Sequence, residues 1–169
     1  RDRTVQKAVD RVLHRALAMT STDDIRSVIE EMRDAWFDLG VDPVSTGITF
    51  IDEAQDSRRL FGTWGRGEAF YFGDVSIEAL LDSGSKWHAP RGSRRRSAVI
   101  RSNKREMQTE FRKVARAVRG RDVAADFAKD VAANFTYPNY RHLFYYTGGW
   151  IGVDLPRELS KEEMSIGRR

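Results

Sequence analysis

A chain of 169 residues with 40% hydrophobic content is long enough to bury its own core as one domain. It has no cysteine, which excludes disulfides, thiolate metal sites, a cysteine nucleophile and any thioether-linked cofactor. The net charge of +4 conceals an asymmetry: thirteen Lys and Arg between Lys86 and Arg121 face only Glu106 and Glu110, so the remainder is acidic. No apolar run approaches the roughly 18 to 20 residues that span a bilayer, and no secretory leader opens the chain. The expectation is therefore a cytoplasmic protein without membrane contact. The chain opens at Arg1 and closes at Arg169 inside helical patterns, so it reads as a piece of a longer protein.

Val5, Val9, Val12, Leu13, Ala16 and Leu17 recur at helical spacing and predict an amphipathic first helix over about 4–19. "TSTDD" follows, with Ser21 or Thr22 as N-cap and Asp23 and Asp24 at the positive end of the helix dipole. The second helix turns Ile25, Val28, Ile29, Met32, Trp36 and Leu39 to one side, takes Gly40 as its C′ residue and stops before Pro43. The period then changes to two. A strand over 44–51 sets Ile48 and Phe50 on one face, and a polar break from Asp52 to Arg58 reads as a solvated connection. Strands over 60–64 and 68–72 and a short helix over 77–81 come next.

"SKWHAPRGSRRR" reads as loop, and 97–101 as a brief strand. Asn103 caps a helix to about Arg119 with Met107, Phe111, Val114, Ala115 and Val118 on one face, and another helix runs from Asp122 to about Asn134. Strands over 140–146 and 150–153 pair around Gly148-Gly149, and Ser160 caps a last helix with Glu162 and Glu163 in its first turn. Strands and helices are grouped rather than alternating, which predicts an α+β domain with a central antiparallel sheet of about five to six strands.

Catalytic patterns are missing. His14 lies at the edge of the first helix's apolar stripe, His88 in a loop and His142 in a late strand, none at a metal-ligand spacing such as H-E-x-x-H. No G-x-S-x-G elbow occurs, and "GTWGRGEAF" lacks both a third glycine and a Gly-Lys-Ser/Thr ending. Asp52 and Glu53 are neighbours, so on a strand they point to opposite faces. The chain reads as non-catalytic and without a metal site.

Two segments, "ALAMTSTDDIRSVIEEMRDAWFDLGVDPVSTGITFID" and "LFYYTGGWIGVDLPRELSKEE", together resemble a GAF domain, a sensory and regulatory domain of bacterial signalling proteins. In that family a second helix of "DL..V" type leads to a "GI.I.D" strand, and an aromatic-rich strand pair ends in "P..LS.EE" before an exit helix. Between 66 and 135 only the order of elements is similar. The resemblance implies that residues 1–169 form a single domain. Terminal helices would pack on one sheet face, and intervening helices and loops on the other would cover a small-molecule pocket. It further implies homodimerisation through the terminal helices, an exit signalling helix from about 160–169, and a fused kinase, cyclase or transcriptional output domain.

Within that frame the strand aromatics divide between filling a core and lining a pocket. The expected ligand-binding set is Phe50, Trp64, Phe72, Trp87, Arg101, Tyr140, His142 and Phe144, with no particular ligand or cofactor implied. Asn103-Lys104 and Phe111 partly match the pattern of cyclic-nucleotide-binding members, but Ala115 and Arg116 replace its acids. The basic stretch over 86–121 has three readings: a solvated face, an anion site with Arg94, Arg95, Arg96 and Arg101 at the pocket mouth, or a nucleic-acid contact. Only Trp87 and Phe111 interleave there as aromatics and no recognition-helix motif occurs, which disfavours nucleic acid.

Overall fold

The computed structural model describes residues 2–87, 96–119 and 134–169. In chain order these form α1 (Asp2–Leu17), a 3₁₀ turn (Thr22–Asp24), α2 (Ile25–Asp38), β1 (Ser45–Asp52), β2 (Ser57–Trp64), β3 (Phe70–Ser76), α3 (Ile77–Asp82), β4 (Ser97–Ser102), α4 (Lys104–Ala117), β5 (Asn139–Tyr146), β6 (Gly149–Leu155) and α5 (Lys161–Gly167). The helix expected from Asp122 lies outside the described residues. The class is α+β, with one open antiparallel sheet in the order β3-β2-β1-β6-β5-β4. No described helix is long and apolar enough to cross a membrane.

Local chemistry explains most boundaries. α2 ends in a left-handed Gly40 at φ +78°, and the Val41 N–H reaches back to the Trp36 carbonyl at 3.0 Å. Asn103 and Glu106 form a reciprocal capping box that starts α4, and Ser160 and Glu163 form another that starts α5. The start of α2 differs from expectation. The chain enters through the 3₁₀ turn, and the Asp24 carboxylate accepts the Thr20 and Ser21 N–H groups at 2.8 and 2.9 Å, which holds its pKa below the usual carboxylate value.

The polar break after β1 is also shorter than it looks. Asp52 pairs with Ser57, so both strands run on and only 53–56 form the turn. Asp56 occupies the left-handed region at φ +48°, where Asp is tolerated better than most residues. Its carboxylate accepts from the Ser76 hydroxyl, the Glu78 N–H at the start of α3 and the Arg119 guanidinium. The tip of the β1–β2 hairpin is thus an anchor for two other elements.

Both faces of the sheet are covered. On one, Ile25 and Ile29 of α2 pack on Phe61 with Ile48 and Phe50 beside them, while Met32 and Trp36 meet Phe144, Val153 and Leu155. α1 and α5 add Val12, Met164 and Ile166 to that layer. On the other face, Met107, Phe111, Val114 and Ala117 of α4 and Leu80 of α3 pack on Val75, Leu60 and Phe72. α4 crosses this face toward the β3 edge, where Val118 bridges Val75 and the Arg119 N–H reaches the Asp74 carbonyl.

No atom would crowd a Cβ at Gly40, so Gly40→Ala carries only the conformational cost of a left-handed non-glycine residue. Urea denaturation is expected to show a loss of about 1 kcal/mol with an unchanged m-value.

Candidate ligand-binding site

Gly47 of β1 pairs with Gly62 of β2 on one side and Gly152 of β6 on the other, so three adjacent strands carry no side chain at the same level. Glycine inside a strand weakens it and marks a place where something approaches the backbone closely. Here aromatic rings approach. A Cβ on Gly152 would stand 3.1 Å from the Trp150 ring, and one on Gly62 would stand 3.5 Å from the Phe70 ring. Above this floor, under α4, lies a cavity of about 70 Å³ walled by Leu60, Trp64 and Phe72 and roofed by Trp87, Phe111 and Val114. That volume suits a few waters or a compact ligand rather than a whole nucleotide.

Trp87 is fixed as a roof by α4. The buried Glu110 carboxylate accepts the Ser85 hydroxyl at 2.7 Å and the Lys86 N–H at 2.9 Å, and Trp87 meets Phe111 edge-on with centroids 4.6 Å apart. Beneath it two arginines reach the cavity from the sheet. Arg141 of β5 makes a bidentate pair with Asp154 of β6, Nε to Oδ1 at 2.9 Å and Nη2 to Oδ2 at 3.0 Å, while Asn139 donates to the same carboxylate at 2.7 Å. Its guanidinium also lies 4.0 Å from the Trp87 ring centroid.

Arg58 of β2 is held differently. Only 1% of it is exposed, its Nη1 donates to the Trp87 carbonyl at 3.1 Å, and its guanidinium lies over the Trp150 ring at 4.9 Å. Its Nε and Nη2 have no partner among the described residues. Burial, and then the Arg141 charge, push its pKa down to about 9, which still leaves it charged at neutral pH. Thr49 and Trp150, opposite each other in the β1–β6 ladder, add an unpaired Oγ1 and an unpaired Nε1 to the same lining. Among the described residues the site thus contains two guanidinium groups and one carboxylate, with open hydrogen-bonding groups beside the unmatched charge.

The expected ligand-binding residues fall in three places. Trp64, Phe72 and Trp87 line the cavity. Phe50, Tyr140, His142 and Phe144 have the other parity and belong to the face under the terminal helices. There Phe50 meets Phe61 and Tyr146, Phe144 stacks on Trp36, and buried His142 accepts the Leu159 N–H on Nε2 at 2.9 Å. Arg101 is exposed on β4, its guanidinium 5.9 Å from the Tyr140 ring centroid. His14 and Arg96 are exposed, whereas His88, Arg94 and Arg95 lie outside the described residues. Within the described basic stretch, Lys113 pairs with Glu110 and Arg119 with Asp56.

Sequence reasoning passed over Arg141, Asp154, Gly62 and Gly152, placed Arg58 in the polar break, and took Gly47 only as part of the family-like strand pattern. The glycines carried a usable signal, one in each of three strand patterns, "TGITF", "LFGTW" and "GWIGV". Among the described residues no cluster of His, Asp or Glu is arranged to hold a metal ion. Comparison of the chain with protein-family models, curated proteins and solved structures gives no match.

Asp154→Ala leaves the buried Arg141 charge unpaired and is expected to cost about 3–5 kcal/mol in urea denaturation. His142 supplies a pH test. Burial lowers its pKa below the ordinary 6.5, against the opposing charges of Asp154 and Glu158, and the Leu159 N–H facing Nε2 requires the neutral ring. Below the unfolded value the unfolded chain takes up a proton that the folded ring resists, so stability is full above 6.5 and falls as pH drops. Denaturation midpoints measured across this range should decline in the wild type and decline less in His142→Gln.

Proposed function

We propose that this chain is a GAF-like sensory and regulatory module of a larger bacterial signalling protein, non-catalytic itself, which binds a small molecule beneath α4 and controls an output domain through its terminal helices. The observation that carries this reading is the division of labour across the sheet. The cavity with its unmatched guanidinium occupies one face, and α1, α2 and α5 occupy the other. The six-stranded antiparallel sheet and the capped helix directly after β6 agree with what the resemblance implies.

The strands offer a short route between the faces. Arg141 grips Asp154 in the cavity, while the next residue, His142, accepts the Leu159 N–H just ahead of α5. Phe144 of the same strand lies against Gly167 at the end of α5. A ligand that shifts the Arg141–Asp154 pair moves the strands on which α5 is seated. It affects output to the extent that it binds one helix arrangement more tightly than another. Leu13 and Leu17 stand exposed on α1 beside an apolar groove formed with Trp36 and Ile166, which supports a homodimer built from the terminal helices.

A thermal-shift screen over metabolites and nucleotides tests the sensing half. A ligand at about 100 times its Kd adds about 2.7 kcal/mol and raises Tm by several degrees. It should also change the fluorescence of Trp64, Trp87 and Trp150, which line the cavity. A screen without any response overturns ligand sensing. Steeply salt-dependent nucleic-acid binding, lost on joint replacement of Arg94, Arg95 and Arg96 by alanine, would move the function to the basic stretch. Sedimentation should show a dimer that Leu13→Glu with Leu17→Glu dissociates, and a wild-type monomer at high concentration overturns the dimer.

A further inference from the structure

We infer that the cavity is a receptor for a small monocarboxylate whose two oxygens are taken by the Nε and Nη2 donors of Arg58. The inference rests on the reading of this cavity as the ligand site and adds the chemistry of the ligand.

The Arg141–Asp154 pair shows how this environment satisfies a guanidinium. Nε and Nη2, the two donors on one edge of the fork, each take one carboxylate oxygen. Arg58 exposes the same two atoms, Nε and Nη2, without a partner, and its third nitrogen is already committed to the Trp87 carbonyl. The bare edge is therefore the one whose geometry matches a carboxylate. Burial makes the vacancy costly, because an enclosed cation without a counter-charge loses its hydration and gains little in return. The Trp150 ring at 4.9 Å compensates one side of the guanidinium plane and leaves the donors at its edge open.

Charge and space narrow the class. With Asp154 matched to Arg141, the described residues of the lining hold one surplus positive charge, so a monoanion neutralises it while a dianion would bury a new negative one. Thr49 Oγ1 and Trp150 Nε1 are further unpaired groups in the lining, available to an oxygen that the fork does not saturate. Leu60, Trp64, Phe70 and Phe72 make the remaining wall apolar, and about 70 Å³ admits a short aliphatic chain beyond the carboxylate. A short-chain fatty acid or a comparably compact aliphatic acid fits these limits.

The experiment uses the whole chain and reads both Tm and titration calorimetry with acetate, propionate and butyrate, against butyramide as a neutral isostere and inorganic phosphate as a competing anion. The expected result is a concentration-dependent stabilisation by at least one of the acids and none by butyramide. Arg58→Lys, which keeps the charge and loses the fork, should weaken binding by about tenfold or more. Arg58→Met should abolish binding and leave the ligand-free Tm unchanged or raised, since it removes a buried unmatched charge. A ligand-free Tm well below wild type in Arg58→Met, with no acid bound by the wild type, would make Arg58 a structural residue and overturn the inference. Stabilisation by phosphate alone, dependent on Arg58, would overturn the carboxylate in favour of a phosphate group. Binding of uncharged ligands that persists in Arg58→Met would also overturn it while leaving the ligand-sensing reading intact. A wild-type chain inert to acids, phosphate and the wider metabolite screen removes both.

Discussion

An antiparallel sheet covered on both faces has to fill every inward position, and this one leaves three of them empty in a row. Gly62, Gly47 and Gly152 lie side by side across β2, β1 and β6. At Gly47 the next strand closes in so tightly that a Cβ would stand 2.8 Å from the Phe61 carbonyl oxygen. The rest of the α4 face is arranged around that bare strip. Trp150 and Phe70 lean across its ends, the two arginines extend inward from β2 and β5, and α4 with Trp87 packs beside it on Phe72 and on the sheet residues Val75 and Leu60. Larger residues at these positions would have produced an ordinary helix-on-sheet core.

The same void separates two buried cations into different states. Arg141 has a carboxylate, which Asn139 also supports, and an indole face. Arg58 has a carbonyl and an indole face, with half of its fork unused. Four of the nine unpartnered buried side-chain atoms found among the described residues belong to Thr49, Arg58 and Trp150 around this one cavity. Native structures leave few such groups, and here they gather around one cavity.

The sequence was most legible where structure is local. The Gly40 stop, the Asn103 and Ser160 caps and the apolar faces of α2 and α4 all follow from residues within a few positions of one another. The strands were found too, but a strand's two faces look alike until it is known which one meets which layer. Ile48 and Phe50 do share a face, yet it is the one under α2, whereas Trp64 points to the cavity through its register with Ser45. On β5 the attractive aromatics Tyr140, His142 and Phe144 drew attention from Arg141 between them. Arg58 was assigned to a solvated break because arginine ordinarily marks the surface. Its two-residue spacing from Leu60, Gly62 and Trp64 held the correction, and only cross-strand pairing, a long-range property, made that spacing decisive.

Asp56 gives the roof a second fastening. At one end α4 is started by the Asn103–Glu106 box next to β4, and just beyond its other end Arg119 is tied to Asp56 and to the Asp74 carbonyl near β3. A helix pinned at both ends behaves as a beam rather than a flap: it has no free end on which to swing. The space below it can therefore change shape through rotation of rings such as Trp87 and through sliding of the strands that carry the arginines. Any such motion would pass downward into the sheet, because α4 above it is fastened at both ends.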